Sequence, residues 1–212
     1  MRRNCAVFLC LAFFALASTG TVWTAPAETA ADLPKLESPV LITSCGQSPG
    51  AMMLKVVMMR VWPGITPPPF EINELASPEN LKEKKDAGSP YKTLIIVMGA
   101  SLKGMGAAGI SIESELDRME KLISEARNQG IFVIGAHIEG MKRRAQGASA
   151  GDTTDEQSID AVAPNSDLLV VHKEGNADNR FTAISQDKQI PLVQVEKTID
   201  LVGEFKKLFS VE

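Results

Sequence analysis

Three side chains with the chemistry of nucleophiles or metal ligands each follow an apolar run: Cys45 after Val40-Leu41-Ile42-Thr43, His137 after the run from Ile131 to Ala136, and His172 after Leu168-Leu169-Val170-Val171. A thiol with a histidine base within hydrogen-bond reach makes a thiolate nucleophile. Cys45 and His137 are therefore the candidate catalytic pair. The plainer reading is a buried, inert thiol and a hydrogen-bonded structural histidine. The three together offer ligands that zinc accepts, but no spacing among them requires it, and no metal is predicted.

A second constellation is built for anions. Ser44, Gly46, Gln47 and Ser48 follow the first apolar run, and Ser101, Lys103, Gly104, Gly106 and Gly109 follow the run from Thr93 to Met98. Glycines let main-chain N–H groups approach a ligand, and a following helix N-terminus favours negative charge. Gly104, Gly106 and Gly109 also have Gly-x-Gly-x-x-Gly spacing, the outline of a dinucleotide fingerprint. Against it, the turn belongs to an interior unit and the next strand ends in His137, where an acid should bind ribose. No cofactor is predicted. A structural glycine turn competes with the anion reading. The third group is His137, Glu139, Arg143 and Arg144, opening into the small-residue stretch from Ala145 to Thr154. Its arginine forks suit a carboxylate or phosphate, and a long connection of this composition suits a lid; a basic turn facing solvent is the alternative.

The elements that must position these groups alternate. Val40 to Thr43 reads as a strand, followed by helical spacing at Met52, Met53, Val56 and Val57, with the Met52, Met53, Met58 and Met59 cluster read as core packing. Phe70 to Ile72 reads as an edge strand. Ser77 caps a charged helix with Pro78 at its first position. Thr93 to Met98 is a strand buried on both faces, and Gly99 to Gly109 a glycine-rich turn. Ser111 caps a helix with its stripe on Ile112, Leu116, Met119, Ile123 and Ala126, ended by Gly130. Strands at Ile131 to Ala136, Leu168 to Val171 and Leu192 to Val195 follow, with helices at Asp155 to Ala163, Asp178 to Asp187 and Thr198 to Phe209. Such alternation predicts an α/β fold: a three-layer α/β/α sandwich on a mostly parallel sheet of five or six strands, Rossmann-like or flavodoxin-like. In a flavodoxin-like order the crevice lies between the first strand and the strand from Thr93, so the two anion-friendly turns face each other.

Arg2 and Arg3 precede an uncharged apolar run from Cys5 to Ala17, thirteen residues long and too short to span a bilayer. This is the pattern of a cleaved export signal. Cleavage is expected after Ala27, with Ala17 as the alternative. Leu9 before Cys10 is a poor lipoprotein site. The expected organisation is a signal at 1–27, a tether at 28–38 and one domain at 39–212, located in the periplasm or secreted, with no stable membrane insertion after cleavage. Losing the signal's two arginines takes the formal net charge from −4 to −6 and leaves Cys45 as the one cysteine. An acidic product without a basic stripe excludes nucleic acid as a partner, and a lone thiol excludes an internal disulfide.

Pro39 to Ser48, the turn from Gly104 to Ile110, Ala161-Val162-Ala163-Pro164 with Asp167, and Ile190-Pro191-Leu192 with Glu196-Lys197-Thr198 together resemble a bacterial exported family, the domain of unknown function 6305 family. The resemblance covers nearly all of the chain after the signal. It implies export and a bacterial source and supplies no activity. The residues themselves therefore carry the reading: an exported protein binding a small anionic ligand at the carboxyl edge of the sheet. The alternatives are an enzyme using Cys45 or His137 in the same crevice and a non-catalytic protein-interaction domain.

Overall fold

The computed structural model describes residues 33–145, 151 and 153–212. The signal expected at 1–27 lies outside them, as do 146–150 and 152 of the expected lid. The strands are β1 (Val40–Cys45), β2 (Phe70–Ile72), β3 (Thr93–Met98), β4 (Phe132–His137), β5 (Leu168–His172) and β6 (Leu192–Val195). They form one sheet in the order β2-β1-β3-β4-β5-β6, and every neighbouring pair is parallel. The first five strands have the flavodoxin-like order, which reverses between β1 and β3. β2 is the edge strand that its short alternating pattern predicts.

The helices are α1 (Gly50–Val61), α2 (Pro78–Asp86), α3 (Leu102–Ala108), α4 (Ile112–Asn128), α5 (Thr154–Val162), α6 (Arg180–Lys188) and α7 (Leu201–Leu208). Alternate strand residues feed two separate cores. Val40, Ile42, Ile95, Val97, Ile134 and Ala136 pack under α1 and α7. Leu41, Cys45, Leu94, Ile96, Met98 and Val133 pack under α2, α4, α5 and α6. The result is the three-layer sandwich, with six strands.

Ordered packing begins ahead of the first strand. Leu36 is buried in the α1–α7 core and its N–H donates to the Leu208 carbonyl at 2.8 Å. Residues 28–32 of the expected tether lie outside the described residues, whereas 33–38 include this anchor.

Three local expectations change. β1 runs on to Cys45, because Ser44 and Cys45 pair with Val97 and Met98 in the sheet interior, where polar side chains are tolerated if bonded. Of the methionine cluster only Met58 is core. Met52, Met53 and Met59 are 46, 38 and 47% exposed, since α1 lies on the sheet by one face and, among the described residues, no element covers its other. The stretch from Gly99 to Gly109 is not a bare turn but holds α3. Ser101 Oγ accepts from Gly104 N at 3.1 Å as its cap, and Gly109, at φ 68°, closes it in the left-handed conformation. That correction also removes the dinucleotide fingerprint, because Gly104 and Gly106 are helical rather than in a strand-to-helix turn.

Gly104 has a packing reason. A Cβ there would stand 2.1 Å from the Gln47 carbonyl oxygen, whereas one at Gly106 would have no neighbour within 4 Å. Gly104→Ala is thus expected to cost about 1–3 kcal/mol by overpacking main chain. Gly106→Ala should instead gain about 0.5–1 kcal/mol, because alanine loses less backbone entropy in a helix. Denaturant melts of the two variants check this; similar values for both would contradict the close approach of α3 to the β1 turn.

Candidate functional site

At the order reversal the two turns do face each other, and they close on each other. The N–H of Gly99 donates to Cys45 O at 3.2 Å and that of Ser101 to Gly46 O at 2.7 Å, while Gln47 and Ala100 form an antiparallel bridge. Gly46, at φ 102°, permits the approach: a Cβ on it would lie 2.6 Å from the Ala100 Cα.

The N–H groups that an anion would use are occupied by the chain's own side chains. Glu115 of α4 accepts from Gly46 N at 2.7 Å and from Gln47 Nε2 at 3.0 Å. Arg118 holds that carboxylate through Nε at 2.9 Å and Nη2 at 2.8 Å, and also donates to Ser44 O and Ala76 O. Glu139 accepts from Gly50 N at 3.1 Å, at the start of α1. Asp155 accepts from Ala100 N at 2.7 Å, and Ser158 accepts from Gly99 N at 3.0 Å while donating to Cys45 O at 2.7 Å. Buried donors need partners, and here three carboxylates and a hydroxyl supply them. Sequence reasoning missed Glu115, Arg118, Asp155 and Ser158. For Glu115 there was a signal: it stands four residues before Met119, in phase with the apolar stripe, where an unpaired acid is costly.

The other expected residues are placed as follows. Ser44 is buried, its hydroxyl donating to Glu74 O at 3.4 Å. Gln47, at φ 55°, donates from Nε2 to the same carbonyl at 3.0 Å. Ser48 is buried and its Oγ accepts from Gly50 N. Lys103 is exposed in the first turn of α3.

Cys45 and His137 do not meet. Cys45 is on β1 and His137 on β4, with β3 between them, so they are two strand spacings apart, about 10 Å. Cys45 is fully buried, and that burial pushes its thiol up to about 12, opposed by a Ser158 hydrogen bond. His137 is fully buried against the Phe181 ring, and desolvation pushes its imidazole down to about 4. Its Nε2–H donates to the Gly140 carbonyl at 3.2 Å, leaving Nδ1 without a partner among the described residues. His172 is on β5, its Nδ1 accepting from Glu174 N at 3.3 Å. The three possible zinc ligands are thus spread over three strands. Among the described residues no group of three or more His, Cys, Asp or Glu side chains could hold a metal ion.

The two arginines after β4 differ in fate. Arg144 is buried, bonded to Glu156 at 2.6 Å, to Asp178 and to the Gly175 carbonyl, with its guanidinium 5.6 Å over the Phe181 ring. Arg180 joins the same network through Glu156 and Asp160. Arg143 crosses above Gly99 to the order reversal, donating from Nε to Glu139 at 3.2 Å and from Nη1 to Ala100 O at 3.0 Å. Its side chain is 23% exposed. Beside it, burial raises the Asp155 carboxyl above its ordinary range, with the Ala100 N–H and the Arg143 charge working against that rise.

The state of His137 has a pH consequence. Its folded value lies below the unfolded one, so the neutral ring stabilises the fold above about pH 6.5, and that stability is lost as pH falls toward about 4. The loss amounts to roughly 3 kcal/mol. The ring resonances of His137 should stay those of a neutral imidazole down to about pH 5, and peptide mapping should find Cys45 alkylated at neutral pH only after denaturation. A His137 titration near pH 6.5, or rapid labelling of Cys45 in the folded protein, would reopen the catalytic reading of that residue.

No curated protein matches the chain. The solved structure of the YdjI aldolase from Escherichia coli K12 aligns with 13% identity over 82% of this chain and 92% of that one, at a TM-score of 0.20, and such a likeness carries no argument. The model of a domain of unknown function (DUF6305) matches residues 37–209. With its six parallel strands and nearly all of its described residues inside that match, the chain belongs to the domain of unknown function 6305 family.

Proposed function

We propose that this chain is an exported binding protein for a small anion that also carries a hydrogen-bond donor, and that Arg143 is its anchor. Export rests on Arg2, Arg3 and the apolar run from Cys5 to Ala17, which have the pattern of a cleaved signal. Among the described residues no helix is long and apolar enough to cross a membrane.

One observation carries the assignment to Arg143. Its Nη2 has no hydrogen-bond partner among the described residues, although Nε and Nη1 are fixed, so the guanidinium is held in place with one edge open at the point where strand order reverses. The Ser101 hydroxyl, which accepts from Gly104 N, still has a proton to donate. Glu139 and Asp155 flank the arginine and disfavour a simple anion. A ligand with a hydroxyl or amine beside its acid group turns Asp155 into a partner. We assign binding rather than turnover because Cys45 and His137, the two candidate catalytic groups, are enclosed and held in their neutral forms.

A second reading, the non-catalytic interaction domain, is favoured by the exposed stripe of Met52, Met53, Val56 and Met59 on α1, 38 to 56% exposed.

Thermal shift across acetate, lactate and hydrogen phosphate tests the anion reading. Lactate or hydrogen phosphate should stabilise more than acetate does, reaching about 2.7 kcal/mol over the ligand-free protein at a hundredfold excess over Kd. Arg143→Ala should abolish the effect and Arg143→Lys, which loses the fork, should retain only part of it. The preference for lactate over acetate should shrink as pH drops into the raised Asp155 range, where the carboxyl loses the charge that both repels a simple anion and strengthens its bond to the ligand's donor. Equal stabilisation of wild type and Arg143→Ala would move the site elsewhere.

A further inference from the structure

A cavity lies away from the carboxyl edge, on the outer side of the helical layer. It is a groove of about 640 Å³ between α4 and α5, lined by Leu116, Glu120, Ile123 and Arg127 of α4 and by Gln157, Asp160 and Ala161 of α5, among others. That volume falls within the range of small-molecule sites, about 300–1,000 Å³. Leu116 and Arg127 are eleven positions apart on one helix. At 1.5 Å per residue the groove is about 16 Å long.

Its polarity is graded along that length. Leu116, Ile123 and Ala161 give it an apolar floor. Both helices start at the carboxyl edge of the sheet, so Gln157 and Glu120 stand in its upper half and Arg127 at its lower end. The lower end is satisfied: Arg127 donates to Asn165 O at 2.7 Å and stands 3.9 Å from Asp167. In the upper half, Asp160 is paired with Arg180. Glu120 has no ion-pair partner among the described residues. Gln157 donates from Nε2 to Gly151 O at 3.2 Å, but its Oε1 is buried without a hydrogen-bond partner among the described residues. An orphaned acceptor and a carboxylate without an ion pair among the described residues, both at one end of an apolar trough, call for a cationic donor joined to an apolar body.

We propose that the α4–α5 groove is a second binding site, whose ligand is a small amphipathic amine with its ammonium at Glu120 and Gln157 and its alkyl part along Leu116, Ile123 and Ala161. The site shares no side chain with the Arg143 corner, and neither reading depends on the other.

The test is amide-resolved NMR titration of the protein with hexylamine, hexanoate and 1-hexanol. Hexylamine should shift the amides of Leu116, Ile123 and Ala161 saturably, with 1-hexanol and hexanoate weaker in that order. Glu120→Gln changes an exposed residue, so folding is retained, and should weaken hexylamine by about fivefold, the worth of one close charge contact near water. It should leave 1-hexanol unchanged. Ala161→Phe fills the trough and should remove both, with its spectrum elsewhere reporting whether the fold is intact. Arg143→Ala should have no effect here. Hexanoate binding as tightly as hexylamine, hexylamine binding indifferent to Glu120→Gln, or no saturable shift at those amides would each overturn the proposal.

Discussion

Where the parallel strands run into their turns, main-chain N–H groups lose their ladder partners, and satisfying them is the constraint on which the carboxyl edge of this fold depends. Glu115 is the clearest instance. It is 1% exposed, receives the N–H of Gly46 and the amide of Gln47, and is neutralised by Arg118 on its own helix. Through that one carboxylate α4 is fastened to the end of β1. Asp155 and Ser158 do the same for the end of β3 from α5, and Glu139 for the start of α1 from the end of β4. A buried ion pair is not itself a large source of stability, because desolvation offsets its attraction. Removing one partner is another matter, since the remaining charge or N–H is then left bare in the interior.

The same constraint acts on the turns that the sequence marks for an anion. The glycine turns after β1 and β3 are shaped for main-chain recognition of a negative group, and the negative groups they recognise are internal. Arg143 differs because it bridges two turns and is not used up by them. Its partners fix its plane without saturating it, which is the pre-organisation that a bidentate contact requires. Arg144, one residue on, is spent entirely on Glu156, Asp178 and Gly175, and ties the end of β4 to α5 and to the turn before α6.

Much of the architecture was legible in periodicity. Thr93 to Met98 reads as a doubly buried strand because every residue in it is apolar or β-branched, and the alternation of such runs with helical stripes dictates parallel strands. The flavodoxin-like order was one option among two, since strand order depends on crossovers that local pattern does not encode. α3 was hidden by its composition: Gly104 and Gly106 are poor helix formers, and the helix persists because Ser101 caps it and Gly104 lets it lie on Gln47. The polar continuation of β1 through Ser44 and Cys45 was hidden for the reverse reason, because turn-like residues were acting as strand. Of the site, Glu139 and Arg143 were legible as charges following a strand. Asp155 and Ser158 were not, because their partners are N–H groups more than fifty residues away.

α5 shows how one short helix can serve three environments by phase alone. At 100° per residue Asp155, Ser158, Ile159 and Val162 fall on one side, and these are the residues that bond the end of β3 and enter the core. Glu156 is turned from them and meets Arg144 and Arg180. Gln157, Asp160 and Ala161 fall on the far side and line the groove against α4. The inward face is fully committed to main chain and core, so its side chains are fixed by requirements internal to the fold. On the outward face Asp160 pairs with Arg180 and Ala161 packs against the core, while Gln157 holds a buried amide oxygen without a partner among the described residues. A buried acceptor left without a partner among the described residues is a cost with no structural return, and it sets the outward face of α5 apart from the inward one.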